Sequence, residues 1–583
     1  MKTILKTTLF LFLAILIHSC HEDDSIGGDS GSQGNEEFDF GSQVQRDFIG
    51  IIKDETNTAI GNAEVNIGTE TVQTDANGVF VITDVSVQER FAYIEVNKAG
   101  YLKGLKTVVP TEDVNSIEIV LLAEQVQALP SNNEIQLSNG TKVTFDGSFE
   151  DANGNAYTGA VYYSMNHIDP ASPNIANEMP GMLFGKTTGD DFEMLQTYGM
   201  LHVSLTDTSG NSLQIAAGSS AEIRMPIPTE LQSGAPTTIP LWSFDEDAGY
   251  WVEEGFATKT GNEYVGTVAH FSWWNCDISF QTELLCLIVE DVNGNPLANV
   301  NVDLTFPGNP FPGEGISNQY GQICGVVPSN EVLTLTAYDS CGNTLLTDTI
   351  GPLSGTSSTT ITQVLTIPNS SVLQVVTGNF LDCNNNPVTN GYVEYLYDGK
   401  RVVFVVTSGV FEISTLICNS DTNAIIEGVD YGSDQSTGSM PILLTPPTTN
   451  LGTLFSCNAI DEYMTYQLDN NPAVTTTSVL GDKNIYSGGF DLHGTPQDPS
   501  HEYYFSIQTI TPGVYTLADF NGLVVITEID LNTNISATQN FQIVVNNFST
   551  IGGFIDVAFS GDYVDGSGIT HSISGTLHVR RDT

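Results

Sequence analysis

Short runs of alternating apolar and polar residues fill the chain from Gln43 onward, and turn-forming residues separate one run from the next. Val, Ile, Thr, Tyr and Phe dominate these runs. A period of two residues is typical of strands that bury one face, whereas a helix would need a period of about 3.6. We therefore predict an all-β fold for the mature chain, built as tandem β-sandwich domains.

The turns between the runs repeat one polar motif, Asp-x-x-Gly with Asn or Ser at the third position. Its copies are Asp75–Gly78, Asp151–Gly154, Asp207–Gly210 and Asp291–Gly294. Hairpins need such residues because Asn, Asp and Gly accept a positive φ or bond the turn amides. Their oxygens are also ligands for Ca²⁺, but no copy continues as a calcium-binding loop that ends in Glu. The sequence favours structural turns, leaves structural calcium as an alternative, and predicts no other metal or cofactor.

The first predicted domain, residues 43–126, carries a recognisable order of elements. A strand at Phe48–Asp54 is followed by a turn into a second strand at Ala59–Val65, a hairpin at Thr74–Phe80, and the closing segment Val96–Tyr101. This order resembles the carboxypeptidase regulatory-like domain, a small transthyretin-like β-sandwich, and the resemblance implies that the tandem sandwiches are of the prealbumin or immunoglobulin-like kind. The resemblance implies a non-catalytic module that accompanies enzymes, receptors or adhesins.

Two later segments repeat this arrangement more loosely, because Cys286–Val300 parallels Gly378–Gly391 in its strand, polar turn, Pro and small residues. We interpret the parallel as a degenerate internal repeat of complete sandwiches. The predicted domains after the first are a larger β-domain at 127–280, regulatory-like sandwiches at 281–368 and 369–458, and a C-terminal β-sandwich at 459–583.

The N-terminus has the pattern of a secretory signal. Two lysines precede the apolar run Leu9–Ile17, which is too short to span a bilayer, and Ser19-Cys20 follows. This resembles the lipobox of bacterial lipoproteins, which implies that residues 1–19 are removed and that Cys20 is diacylated. The alternative is an ordinary secreted protein in which Cys20 is incidental.

The residues directly after the cysteine are acidic. Glu22, Asp23 and Asp24 resemble the export tag of surface lipoproteins of the Bacteroidota, which implies the outer face of the outer membrane. The alternative is the beginning of an acidic linker. Ser25–Gly41 is rich in Gly, Ser and acidic residues, so we predict an acidic, flexible tether over residues 20–42.

Charge and composition narrow the function. The chain has 17 Lys and Arg against 69 Asp and Glu, a formal net charge of −52, so its field repels phosphate backbones and excludes nucleic acid as a partner. Zinc carboxypeptidases use a His-x-x-Glu motif, but none of the nine histidines is followed three residues later by Glu. No catalytic constellation is recognisable, and we predict that the protein is not an enzyme.

All four tryptophans fall in the segment 127–280, at Trp242, Trp251, Trp273 and Trp274. Exposed tryptophans can stack on sugars, whereas the alternative is a sandwich core. Adjacent strand residues face opposite sides, so Trp273 and Trp274 cannot both enter one core. One of them must meet solvent, a neighbouring domain or a ligand, and this pair is the predicted ligand platform.

Eight cysteines are present, and seven remain when Cys20 is assigned to lipid. All seven lie between residues 276 and 457. Their presence is expected for disulfides formed during export, and an odd number leaves at least one free or paired between chains. We predict Cys383–Cys418 as the first pair and Cys324–Cys341 as the second.

These features predict a non-catalytic protein, anchored by lipid to the outer membrane and exposed at the cell surface, with a stalk of β-sandwiches that binds a glycan or protein ligand. The membrane is contacted only through the N-terminal lipid. One alternative is a hydrolase or an accessory component of a surface system that degrades polysaccharides or peptides. Another is a purely structural spacer.

Overall fold

A computed structural model describes residues 38–112, 114–354, 359–364, 366, 371–406, 408–418, 422–433 and 435–459, and the strands with adjoining residues between 463 and 580. The predicted all-β fold is confirmed, because the described regular structure is almost entirely β-strand. A representative strand is Ala92–Asn97, in which Ala92, Ile94 and Val96 are buried while the residues between them are half-buried. We divide the strands into modules 1–5 by their pairing.

Module 1 contains seven strands in two facing sheets of order β4-β1-β7 and β3-β2-β5-β6. Strand β1 is antiparallel to β4 and parallel to β7. The apolar faces of both sheets form one buried core. The strands are β1 (Gln43–Asp54), β2 (Glu64–Ile67), β3 (Glu70–Gln73), β4 (Val79–Gln88), β5 (Ala92–Asn97), β6 (Gly104–Val108) and β7 (Asn115–Leu121).

Module 2 is a larger and strongly connected sheet structure with its own core. Its elements are β8 (Gln127–Ala128), β9 (Glu134–Gln136), β10 (Lys142–Phe145), β11 (Phe149–Asp151), β12 (Ala156–Tyr157), β13 (Tyr162–Ile168), the helical turn α1 (Ile175–Glu178), β14 (Phe184–Lys186), β15 (Phe192–Thr206), β16 (Ser212–Ile215), β17 (Ala221–Pro226), β18 (Thr238–Asp245), β19 (Tyr250–Thr260), β20 (Glu263–Val268) and the first half of β21 (Trp273–Glu290).

Strand β21 continues from module 2 into module 3 without a linker. Residues 273–281 pair with β15 and β18, whereas residues 282–290 pair with strands of module 3. The predicted border between 280 and 281 therefore lies inside one strand. The other strands of module 3 are β22 (Asn301–Phe306), β23 (Asn309–Ile316), β24 (Gln322–Pro328), β25 (Leu333–Tyr338), β26 (Thr344–Ile350) and β27 (Thr359–Val364).

Modules 4 and 5 complete the chain. Module 4 contains β28 (Ser371–Asp382), β29 (Gly391–Tyr397), β30 (Lys400–Val405), β31 (Val410–Cys418), β32 (Asn423–Asp430), β33 (Gln435–Ser436), β34 (Met440–Leu443), β35 (Thr448–Ser456) and β36 (Asn458–Ala459). Module 5 contains β37 (Tyr463–Leu468), β38 (Val474–Thr476), β39 (Val479–Lys483), β40 (Phe490–Gly494), β41 (Tyr503–Ile507), β42 (Gly513–Thr516), β43 (Val524–Ile526), β44 (Gln542–Phe548), β45 (Phe554–Val564) and β46 (Thr570–Arg580).

Modules 1, 3 and 4 share one strand arrangement. In each, the first strand is antiparallel to a middle strand and parallel to a late one, as in the trios β4-β1-β7, β24-β21-β27 and β31-β28-β35. A second sheet faces each trio. Neither pairing joins consecutive strands, because two other strands of the chain separate the antiparallel partners, and the parallel partner requires a longer crossover connection.

Module 1 packs against module 4, although some 300 residues separate them. The hydroxyl of Tyr392 donates to Asp75 Oδ2 at 2.8 Å, and the hydroxyl of Tyr431 donates to the same oxygen at 3.3 Å. Arg401 Nη1 donates to the carbonyl of Asn77 at 2.8 Å. The polar contacts border an apolar cluster that includes Ile49, Ile51, Val79, Tyr392, Val403 and Val429. Module 1 therefore contacts module 4 in addition to the module that follows it in the chain.

Candidate functional site

The four tryptophans lie in the interior rather than on a surface platform. Trp274 is 1% exposed, belongs to the core of module 2, and donates from Nε1 to the carbonyl of His270 at 3.0 Å. Trp273 is 3% exposed and points to the opposite side of β21, into a second apolar cluster with Trp242 and Trp251.

That second cluster joins module 2 to module 1. Leu102, Leu105 and Leu122 of module 1 complete it, so Trp273 meets a neighbouring module instead of solvent. The prediction of a ligand platform at Trp273 and Trp274 is therefore wrong. The reasoning that both could not enter one core is correct, because the structure buries them in two different clusters.

The cysteine pairs differ from the predicted ones. Cys383 bonds to Cys457, because the parallel pairing of β28 with β35 ends at the neighbouring pair Asp382 and Ser456. The predicted partner, Cys418, is opposite Ser371 at the other end of β28. At about 3.3 Å per residue, that position is more than roughly 30 Å from Cys383, far beyond disulfide reach.

Cys324 bonds to Cys286, its direct antiparallel partner across β21 and β24, and not to Cys341. Cys341 lies in the turn between β25 and β26 in the opposite sheet and is itself disulfide-bonded. Cys276 is a free, buried cysteine, and burial raises the pKa of its thiol well above its ordinary value. One free cysteine accords with the odd count in the sequence.

The repeated Asp turns use their carboxylates internally. Asp291 Oδ1 accepts the backbone N–H of Asn293 at 2.8 Å and of Asn295 at 2.9 Å, while Oδ2 accepts Nδ2 of Asn295 at 2.9 Å. The same bonds to the Asn four residues later recur at Asp151, Asp207, Asp339 and Asp382. These contacts explain the turn motif. Within the described residues, no cluster of three His, Cys, Asp or Glu side chains could hold a metal ion.

A cavity of about 290 Å³ lies where modules 1, 2 and 3 meet. Its inner wall is the interior of the module 3 sandwich, at the open side between β23 and β24. Side chains from four strands of module 3 form this wall: Leu285, Leu287, Val302, Val327 and Leu333. The mouth is bordered by Lys106 of β6, Met182 and Met194 of module 2, and Glu314 of β23.

Lys106 is the cation at this mouth. Its Nζ donates to the backbone carbonyl of Ala176 in α1, and Lys106 also forms a β-bridge with Gly181, which follows α1 in the chain. Burial lowers the pKa of Lys106 to about 8, although Glu118 and Glu314 act in the opposite direction. The ammonium group is therefore desolvated but still largely protonated at neutral pH.

Two carboxylates, Glu118 and Glu314, lie near Lys106, and neither forms an ion pair with it. Glu118 accepts from Lys53 Nζ at 2.7 Å and from Asn177 Nδ2 at 2.9 Å. Burial raises the pKa of Glu314, and the charge of Asp303 raises it further. Among the described residues, no carboxylate lies within 4.0 Å of Lys106 Nζ, so this ammonium has no ion-pair partner there.

A buried polar network lies behind the cavity wall. Thr197 borders the cavity, and its hydroxyl donates to Asn275 Oδ1 at 2.6 Å. Asn275 Nδ2 donates to Asp277 Oδ2 at 2.6 Å. Asp277 is fully buried, and burial raises the pKa of its carboxyl well above the ordinary value. The network lies beside the register shift in β15, where Gly199 has a φ of 140°. We interpret it as part of the structure of the sheet at this shift.

The end of the predicted tether is attached to the folded body. Phe38 packs against Phe184 with ring centroids 4.8 Å apart, and Phe40 packs against Phe91 at 5.2 Å. Arg90 Nη1 lies 3.0 Å from a carboxylate oxygen of Asp39. Residues 38–41 are therefore part of the body, in contrast to the prediction of a flexible segment through Gly41. The pair of phenylalanines two residues apart was the signal in the sequence.

The remaining N-terminal predictions fall outside the described residues. These are the signal peptide, the lipidated Cys20 and the acidic residues Glu22, Asp23 and Asp24. In the part of the chain that the structure describes, no helix has the length and apolarity of a membrane span.

Comparisons with known proteins do not assign this chain to a family. No family model matches it. A stretch of 114 residues is 34% identical to cartilage intermediate layer protein 1 of Sus scrofa, and it covers 18% of this chain and 18% of that protein. The chain thus matches less than a fifth of the length of this curated relative.

Similar solved structures are pilin subunits. The Streptococcal ancillary pilin matches 39% of this chain and 95% of its own, at 12% identity and a TM-score of 0.14. BcpA, the major pilin subunit of Bacillus cereus, matches 71% of this chain and 100% of its own, at 10% identity and a TM-score of 0.12. At such scores the fold assignment rests on the strand pairings of this chain itself.

Proposed function

We propose that this chain is a non-catalytic, lipid-anchored protein of the cell surface, whose β modules form one rigid body that binds a glycan or protein ligand. The lipobox-like Ser19-Cys20 and the acidic residues behind it support the anchor and the outward address. The alternatives are an accessory component of a surface polysaccharide- or peptide-degrading system and a structural spacer.

The attachment of Phe38 and Phe40 is the observation that carries this proposal. Phe40 lies in an aromatic cluster with Phe91 of module 1 and with Phe192 of module 2, and Phe192 packs on Tyr250. The first described residues of the chain thus contact both modules, so a body joined to an N-terminal anchor would be held through both of them.

The rigidity of the body comes from three features. Strand β21 runs through modules 2 and 3, an apolar cluster joins modules 1 and 2, and Asp75 of module 1 is bonded to module 4. Large apolar interfaces between modules suppress the relative motion that is otherwise expected of multi-domain chains. Such a body suits the presentation of a fixed binding surface away from a membrane.

A non-catalytic role is supported by the chemistry of the perturbed groups. Asp277, whose carboxyl pKa is raised well above its ordinary value by burial, is sealed in the interior and bonded to Asn275. The turn carboxylates are bonded to their own amides. Active sites instead gather perturbed groups in an accessible cleft. Lys106 and Glu314 do lie at a cavity, but most of the residues that line it are apolar.

The test is protease treatment of intact source cells together with intact-mass analysis of the purified protein. We expect release of a soluble body by cleavage between residues 20 and 37, and a mature mass that includes a diacylated Cys20. The variant Cys20→Ser should be lost from the membrane, whereas Cys276→Ser should remain anchored.

Two results would overturn the proposal. The first is full protection of the chain from protease on intact cells, which would favour a periplasmic accessory role. The second is a mature chain that begins at a residue other than Cys20 and carries no lipid.

A further inference from the structure

We propose that the cavity between modules 1, 2 and 3 binds a single hydrocarbon chain that ends in a carboxylate. The hydrocarbon would lie inside the module 3 sandwich, and the carboxylate would meet Lys106 at the mouth. This inference goes beyond surface anchoring and does not depend on it.

The shape and lining of the cavity indicate the hydrocarbon part. The inner wall consists of core side chains of module 3, such as Leu287, Val302 and Val327, and the two sheets are not closed between β23 and β24. A polar ligand would leave its groups unpaired against this wall, which is costly. An apolar chain gains the transfer free energy of every methylene that leaves water.

The volume sets the size of the ligand. A water molecule occupies about 30 Å³ in the liquid, and the cavity of about 290 Å³ therefore accommodates at least about ten groups of that size. Methylene groups are similar in size to water, so a chain of roughly ten carbons fits. This is near the lower end of the range for small-molecule sites.

Lys106 indicates the carboxylate. An ammonium group has three donors, and the described residues give Nζ one acceptor, the carbonyl of Ala176. Two carboxylates act on Lys106 through their charge: Glu118 is already bonded to Lys53 and Asn177, and Glu314 lies beyond ion-pair distance of Nζ. A desolvated cation with free donors gains most from an anionic acceptor, since charge-assisted hydrogen bonds are the strong ones.

Glu314 defines the selectivity at the same mouth. Its carboxyl has a raised pKa because of burial and the neighbouring Asp303, so a second negative charge is disfavoured there. A ligand with one carboxylate can be placed next to Lys106, whereas a ligand with several anionic groups would bring charge against Glu314 and Asp303. Single-headed fatty acids therefore fit better than phosphorylated lipids.

The experiment compares decanoate with 1-decanol, which has the same chain and no charge. Titration calorimetry is done on the full chain carrying Cys20→Ser, which avoids lipid and detergent. We expect decanoate to bind at one site at least tenfold more tightly than decanol. Lys106→Met should remove this preference and leave decanol unchanged, whereas Lys142→Met, which alters a lysine paired with Glu134 in module 2, should change neither.

A second pair of variants tests the hydrocarbon part. Leu304→Trp fills the cavity from its wall and should weaken both ligands at least tenfold, whereas Leu346→Trp adds the same bulk against the same core outside the cavity and should not. Thermal unfolding checks that each variant folds.

Three results would overturn the inference. They are no binding of decanoate up to its solubility, equal affinity for decanoate and decanol in the protein that retains Lys106, and unchanged affinity for both ligands in Leu304→Trp. Because the ligand preference is measured on the unmodified cavity, the inference stays testable even where a variant fails to fold. None of these results bears on Cys20 or on protease release from cells.

Discussion

The bond between Tyr392 and Asp75 should determine how firmly module 1 is held by module 4. The Tyr392 ring is fully buried, and its hydroxyl donates to Asp75 Oδ2 at 2.8 Å and accepts from Asn77 Nδ2 at 3.0 Å. Tyr392→Phe keeps the ring in its apolar cluster and removes both bonds. Tyr431 remains as a weaker donor to the same oxygen, at 3.3 Å.

The size of the effect follows from the charge of the acceptor. Hydrogen bonds to charged groups contribute about 1.5–3 kcal/mol, and about 1.4 kcal/mol corresponds to a factor of ten in an equilibrium. Asp75 also holds the turn beneath this bond, because its Oδ1 accepts the N–H of Val79 at 2.9 Å. We expect this turn to open when module 1 separates from module 4. We therefore expect amide hydrogen exchange at Val79 to accelerate by about 10- to 150-fold in the variant at neutral pH.

The measurement is hydrogen–deuterium exchange resolved to the segment that contains Val79. Tyr264→Phe is the matched control, because it removes another buried hydroxyl, bonded at 3.0 Å to the neutral carbonyl of Pro236 in module 2. It should leave Val79 unchanged. An acceleration below about threefold in Tyr392→Phe, or an equal acceleration in both variants, would refute the prediction that this bond holds module 1 against module 4.

Three further predictions concern the turns and the cysteines. Hydrogen bonds from Asn295 lower the pKa of Asp291 to about 2, so this carboxylate stabilises the fold above its ordinary pKa and the contribution is lost as the pH falls from about 4 to 2. Asp291→Asn keeps Oδ1 as an acceptor but does not titrate, so the melting temperature measured by calorimetry should depend less on pH between about 4 and 2 than in the unmodified protein. An unchanged pH dependence would contradict this. The bond Cys383–Cys457 spans 74 residues, and breaking it with Cys457→Ser should lower the free energy of unfolding of module 4 in urea by up to about 4 kcal/mol. The double variant Cys383→Ser/Cys457→Ser should have nearly the same free energy of unfolding as Cys457→Ser alone. If each substitution lowered the free energy of unfolding independently, the bond would be contradicted. Cys276 is buried with a raised thiol pKa, so iodoacetamide should modify it only in denaturant, as mapped by peptide mass; rapid labelling of the native chain would disprove its burial.

Local patterns in the sequence predict the strands and the repeat well. The alternation in segments such as Ala92–Asn97 depends only on which face of a strand is buried, and the Asp turns follow from bonds within five residues. Such features are fixed by neighbours along the chain. The all-β fold and the recurrence of one sandwich arrangement were therefore accessible without a structure.

Long-range register and module docking were not accessible in the same way. The pairing of Cys383 with Cys457 depends on a parallel strand that arrives after a long crossover, and no local signal reports it. The place of Trp273 depends on leucines of module 1 that lie more than 150 residues earlier. The cavity likewise exists only where three modules meet, so Lys106 looks in the sequence like any half-buried strand lysine.

The parallel partner of each first strand has a mechanical consequence. In module 1, β1 opens the module and β7 closes it, and the two lie side by side in parallel over the register from Phe48–Asn115 to Asp54–Leu121. Tension that pulls the beginning of the module away from its end must slide these strands past each other, so their hydrogen bonds bear the load in shear and yield together. The same geometry recurs in β21 with β27 and in β28 with β35. A body held at a membrane and pulled by a bound partner would thus meet the force with three successive shear clamps.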